Sequence, residues 1–215
     1  MARDPSPSDG SALVYVYADE SCLGNQFRER ATPGGAAALV ETFREVRTGY
    51  DQPPVRTDLF VCEPDSTNNR MALRSAFEVL ERLGPSSVVF TSDSNYLVLG
   101  MREWVHGWAA RGWRRKGGAI ENLDLWGRLL RAARPHRIEW RWVRGHAGHP
   151  KNEYAHRLAI RAAERQLDSG GFVDSGFDAW LQEEMERGHF LDFYDVPPKE
   201  PFRPGPAPPP PPRAL

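Results

Sequence analysis

Residues 13–18 read Leu-Val-Tyr-Val-Tyr-Ala, apolar or aromatic and β-prone without a break, and the run stops on Asp19-Glu20-Ser21. A strand with one wet face alternates apolar and polar side chains. A strand with no polar face must be covered on both sides. Further along, short β-prone runs alternate with stretches of helical spacing, the pattern of an α/β domain with a mixed sheet. The chain has 215 residues, 40% of them hydrophobic, enough for one such domain with appendages.

Strands are predicted at 36–43, after the flexible Pro33-Gly34-Gly35, and at 58–63; with the first strand they form an antiparallel meander. Ser66 to Arg70 reads as a capped helix start, and Met71, Leu73, Phe77, Leu80 and Leu83 recur at helical spacing up to Gly84. A buried strand follows at 88–91, then a helix at about 95–107, an aromatic-basic segment, a helix at about 122–133, a strand at 138–143 and a last long helix at about 152–166. The expected division is a disordered leader at 1–11, the domain at 12–167, an extension at 168–196 with a short helix near 177–188, and a disordered tail at 197–215. Ten of the nineteen tail residues are proline. Such a tail is an inert spacer or a polyproline II ligand for a partner with an aromatic-lined groove.

No window holds eighteen uninterrupted apolar residues, which argues against a membrane span. The polar N-terminus lacks the apolar core of a secretory signal. Cys22 and Cys62 make neither a disulfide framework nor a zinc cluster. A cytoplasmic, monomeric protein is expected.

The net charge of −1 conceals a local bias: Arg111 to Arg144 holds ten basic and three acidic residues. Six of the seven tryptophans fall between Trp104 and Trp142. Basic side chains interleaved with aromatics suit a phosphate backbone and its exposed bases; the same composition also fits a solvated basic helix over a tryptophan core.

Chemistry is expected where strands stop. Asp19 ends the first strand and Asp93 the fourth, and two carboxylates converging on one rim can hold a divalent cation. Each alone also reads as a turn former or a helix cap. His146 lies in Gly145-His146-Ala147-Gly148-His149-Pro150, a flexible place for an acid or base, and alone it also reads as a structural loop residue.

The local sequences are more specific. Asp19-Glu20-Ser21-Cys22-Leu23-Gly24-Asn25, Thr67-Asn68-Asn69-Arg70-Met71, Thr91-Ser92-Asp93-Ser94-Asn95-Tyr96, the segment from Trp104 to Trp126, and the nearly continuous block from Trp140 to Glu153 occur in this order. In this set and order they resemble the bacterial type 1 ribonucleases H over about residues 12–165. The resemblance implies a five-stranded mixed sheet of order 3-2-1-4-5 flanked by helices. It implies endonucleolytic cleavage of the RNA strand of an RNA–DNA hybrid with Mg²⁺, which Mn²⁺ can replace, and a histidine, His146, that assists proton traffic. Substrate contacts are expected from Cys22, Asn25, Asn68, Asn69 and Asn152, and from a basic protrusion with Trp104, Trp108, Trp113, Arg114, Arg115 and Lys116.

The metal site departs from that pattern. The family's carboxylates run Asp, Glu, Asp, Asp. Asp19 and Asp93 match the first and third, but Ala72 stands at the second position and His156 at the fourth. His156 still offers a nitrogen, which Mn²⁺ accepts more readily than Mg²⁺; Ala72 offers nothing. Glu20 replaces the family's glycine directly after Asp19 and is the one substitute ligand, although adjacent strand residues normally point to opposite faces; its bland reading is a solvent-facing turn residue. Two functions follow: a hybrid nuclease with a rebuilt site of Asp19, Asp93, Glu20 and His156, or a hydrolysis-deficient hybrid-binding module.

Overall fold

The computed structural model describes residues 13–24, 32–43, 53–115, 117–145, 148–195 and 201–212. The expected contributions of Asn25, Lys116 and His146 lie outside the described residues, as does the leader.

Strands β1 (Leu13–Cys22), β2 (Gly34–Phe43) and β3 (Val55–Glu63) form the antiparallel meander. Helix α1 (Asn68–Leu80) starts at the Thr67 cap, whose hydroxyl accepts the Arg70 N–H at 3.3 Å. Strand β4 (Ser87–Ser92) lies parallel to β1, and β5 (Arg137–Trp142) parallel to β4. Between them run α2 (Asn95–Leu99), a π-helical turn, α3 (Val105–Ala110) and α4 (Leu123–Ala133). Helix α5 (Pro150–Arg165) completes the expected set.

Alternation along β1 divides the core. Val14, Val16 and Ala18 pack with α1, α3 and α4 on one face, while Tyr15 and Tyr17 pack toward α5 on the other. Gly35 lets α5 approach: a Cβ there would sit 2.1 Å from the Ala159 carbonyl oxygen.

Three findings correct the sequence expectation. The sheet has six strands, order 5-4-1-2-3-6, because Val173–Asp174 adds β6 antiparallel to β3. The extension is also part of the second core. Phe177 opens α6 (Phe177–Glu186), is fully buried, and meets Tyr154 edge-on at 5.4 Å. Beside it, the Asp58 carboxylate accepts hydrogen bonds from the Tyr154 hydroxyl (2.6 Å), the Ser175 hydroxyl (2.7 Å) and the Gly176 N–H (3.2 Å). Finally, tail residues 201–212 lie against their own domain. The Gly205 N–H donates to the Ile138 carbonyl (3.1 Å), the Arg203 N–H donates to Glu139 (2.6 Å), and Pro211 packs over Gly127. Proline has few conformations to lose on docking, so a short set of contacts suffices to hold such a segment.

Candidate active site

The β1–β4 register brings the carboxylates together. Ala18 pairs with Ser92, so Asp19 and Asp93, one residue further on each, leave the sheet side by side. One oxygen each of Asp19, Glu20 and Asp93 lies within 4.8 Å of the others. With Ser21, Cys22, Asn68, Ser94 and His156 they line a cleft of about 350 Å³.

Asp19 is held from α5. The Asn152 amide donates to Oδ2 and His156 Nδ1 to Oδ1, each at 3.2 Å. Positions 152 and 156 are one helical turn apart and share a face. The hydrogen bond and charge of Asp19 raise the His156 pKa against the opposing effect of burial. Asn152 is 3% exposed, and its amide positions Asp19. His156 also acts first as a partner of Asp19 and lines the cleft beside it.

Asp93 is held by its surroundings. The Trp142 indole N–H donates to its backbone carbonyl at 2.9 Å, and Gly145 passes so close that a Cβ would lie 2.2 Å from Oδ2. Trp142 and Gly145 were not picked out from sequence as parts of the site. A glycine directly after a strand that ends near Asp93 was the available signal.

Glu20 enters from the other face. Strand alternation puts it with Ala18 and Cys22, on the side of α1, where Ala72 is buried and carries no polar side-chain atom. The strand still delivers Asp19 and Glu20 to one cluster because both lie beyond the last β1–β4 pair, where the two faces meet at the sheet rim. The Glu20 carboxyl is pushed well above the usual range, first by burial and then by the charges of Asp19 and Asp93; a hydrogen bond with Ser94 opposes this. Its Oε2 is buried with no hydrogen-bond partner. An orphaned carboxylate oxygen beside two more carboxylates fits a hard divalent cation, which takes oxygen ligands and relieves the repulsion. Cys22 is a buried thiol held up at about 12, chiefly by burial, and so is neutral at this rim.

The protrusion is partly core. Trp108 is 8% exposed and packs edge-on against Trp126 at 5.6 Å, so it supports the segment from beneath. Trp104 and Trp113 are half-buried around it. Arg114 and Arg115 are exposed and form no ion pair with a described residue. Asn68 and Asn69 stand at the start of α1, Asn68 in the cleft wall.

A profile of the RNase H family matches residues 11–164. The chain belongs to the ribonuclease H family. The Ribonuclease H of Janthinobacterium sp. (strain Marseille) is 44% identical over 153 residues, covering 70% of this chain and 96% of that protein. The Ribonuclease H of Methylococcus capsulatus (strain ATCC 33009 / NCIMB 11132 / Bath) is 38% identical over 164 residues, covering 75% and 96%. The crystal structure of LC9-RNase H1, described as a type 1 RNase H with the type 2 active-site motif, matches with TM-score 0.82 and 49% identity over 97% of this chain and 96% of that one. The two curated ribonucleases H therefore leave about a quarter or more of this chain unmatched, whereas the alignment to LC9-RNase H1 takes in nearly all of it. The family is one of divalent-metal-dependent endoribonucleases, and this chain carries an acidic cluster of Asp19, Glu20 and Asp93 that could hold such an ion. Among the described residues no helix is long and apolar enough to cross a membrane.

Proposed function

We propose that this chain is a Mg²⁺-dependent endonuclease, with Mn²⁺ as a substitute, that cuts the RNA strand of RNA–DNA hybrids, and that its second acidic ligand has moved from α1 to β1. The observation that carries this reading is Glu20: a buried carboxylate with an orphaned oxygen, within 4.8 Å of Asp19 and Asp93, on the sheet face where Ala72 left no acid. LC9-RNase H1 is itself described as a type 1 RNase H with the type 2 active-site motif, which supports a rebuilt site over a ruined one.

Asp19, Glu20 and Asp93 would hold the cation, with His156 at their side. A cation held there would supply polarisation of the scissile phosphate and a lowered pKa for an attacking water. Asn152 and His156 fix the Asp19 carboxylate, so its oxygens need not reorganise when a substrate arrives. Ser94 orients Glu20, and the close pass of Gly145 confines Asp93. His146, on the loop after Gly145, is assigned to proton traffic. Asn68, Asn69, Cys22 and Asn25 would line the hybrid's path, with Arg114, Arg115 and Lys116 taking backbone phosphates. The domain at 12–167 would work as a cytoplasmic monomer, in keeping with free Cys22 and Cys62.

The alternative, a hybrid-binding module without hydrolysis, rests on Ala72 and His156, which stand where the family has two of its four carboxylates. Cleavage of a labelled hybrid with Mg²⁺ and with Mn²⁺ separates the two. Glu20→Gln should bind hybrid as the parent does and cut it about a hundredfold or more slowly, the scale of losing a positioned electrostatic group. Asp19→Asn serves as the inactive control. Equal rates for Glu20→Gln and the parent would eliminate the moved ligand, and no cleavage by the parent would leave the binding module.

A further inference from the structure

The tail completes a second groove that the hydrolytic site does not use. It runs along the outer edge of β5, between the π-helical turn on one side and the tail on the other, and encloses about 520 Å³. We propose that this groove binds unpaired nucleic acid continuing from a hybrid held at the acidic cleft; the proposal rests on the hybrid-nuclease reading above.

The walls carry the charge such a ligand needs. Arg102 and His106 face it from the helical side, Arg141 from β5 and Arg203 from the tail. The one acid in the lining, Glu139, is already engaged by Arg141 Nε at 2.7 Å and by the Arg203 backbone N–H at 2.6 Å. Burial works to raise its pKa, but the Arg141 hydrogen bond and then the Arg203 N–H hold it low, so the carboxylate is neutralised locally and the groove stays cationic. The Arg102 and Arg203 guanidiniums are exposed.

The floor supplies aromatic surface. Trp140 packs inward on Phe90, with ring centroids 4.9 Å apart. Trp142 is 45% exposed, yet its indole N–H is tied to the Asp93 carbonyl. A large aromatic kept half in water in a fixed pose offers a face for a base to stack on, and stacking tolerates any base sequence. The same hydrogen bond ties the groove to the cleft, because Trp142 lines one and grips the backbone of a carboxylate in the other. A strand that parts from its complement at the cleft meets Trp142 first and the arginines next. The tail's place in this wall also gives residues 201–212 a use beyond covering the β5 edge.

The test compares a blunt RNA–DNA hybrid with one forked at both ends, each fork about six nucleotides long, a span typical of single-strand sites. Affinity is read by fluorescence anisotropy in chelator, with no divalent cation. The parent should bind the forked hybrid about tenfold more tightly than the blunt one. Arg102→Ala with Arg203→Ala should abolish that preference and leave the blunt affinity within about twofold. Both residues are exposed, so the fold should persist. Equal affinities of the parent for forked and blunt hybrids would overturn the groove while leaving the nuclease reading intact. So would a double variant that loses affinity equally for both, since that is general electrostatics. A parent that binds neither hybrid would overturn both readings.

Discussion

Helix α5 borders two sets of buried charge, and they follow opposite rules. Its Lys151 lies 2.8 Å from both Glu41 and Asp195, while Arg56 lies 2.9 Å from the other Glu41 oxygen and also reaches Asp178 and Asp195. There each buried acid meets a cation. Five and one residues later, His156 and Asn152 face the other set: Asp19, Glu20 and Asp93, three carboxylates with one imidazole and an amide between them. The first set ties β2 and β3 to the last described residues of the extension. The second crowds three carboxylates together, and the Glu20 Oε2 in it is buried with no hydrogen-bond partner among the described residues. Crowded carboxylates raise the energy of the fold, and they persist where a ligand relieves them. The balanced set is architecture, and the acidic set is the site proposed to bind the cation.

The largest effect should come from the balanced set. Lys151→Met removes a cation buried against Glu41 and leaves that carboxylate only Arg56. Breaking a buried pair from one side costs about 3–5 kcal/mol, read as a fall in the urea midpoint at constant slope. The protein that remains folded should still cut hybrid. A loss below about 1 kcal/mol would show that the network is not structural.

Tyr154→Phe is a smaller probe of the same face. It deletes the 2.6 Å hydrogen bond to Asp58, whose carboxylate keeps Ser175 and Gly176. The expected cost is about 1–2 kcal/mol, again without effect on the rate per folded molecule. If the rate fell while stability held, the extension would belong to the active site and the division between the two regions would fail.

The two regions also differ in how far sequence alone reveals them. β1 and β4 follow from local pattern, because strands buried on both faces must read as apolar runs, and β5 follows from its alternation. Asp19 and Asp93 follow from the ends of those runs, and Glu20 from the glycine it displaces. The burial of Asn152 does not, since an asparagine at a helix start serves a ligand or a neighbouring carboxylate equally well. The burial of Trp108 is not legible either, because an aromatic among basic residues has the composition of a binding surface whichever way it points. The extension was opaque for a different reason. Val173–Asp174 is too short to announce a strand, and Phe177 is buried by Tyr154, whose position depends on the whole domain. The tail's proline content says nothing of the groove that receives it.

The smallest effect in energy is the one that tests the central claim, because its sign is the reverse of the others. In chelator, Glu20→Gln removes a buried charge repelled by Asp19 and Asp93, so the variant should be as stable as the parent or more so, by up to about 1 kcal/mol. The pH dependence follows. Glu20 holds its proton more tightly folded than unfolded, so above the ordinary glutamate range the unfolded chain binds fewer protons. Parent stability in chelator should therefore fall as pH rises from there, and the variant should lose part of that slope. Added Mn²⁺ or Mg²⁺ binds the folded parent and raises its stability, by about 2.7 kcal/mol at a hundred times the dissociation constant. The variant, short of one oxygen ligand, should gain distinctly less. Thermal unfolding of the two proteins with and without the cation is the decisive measurement: the account predicts that the order of their midpoints inverts when the cation is added. A Glu20→Gln protein that is less stable in chelator and gains as much from the cation as the parent would contradict it.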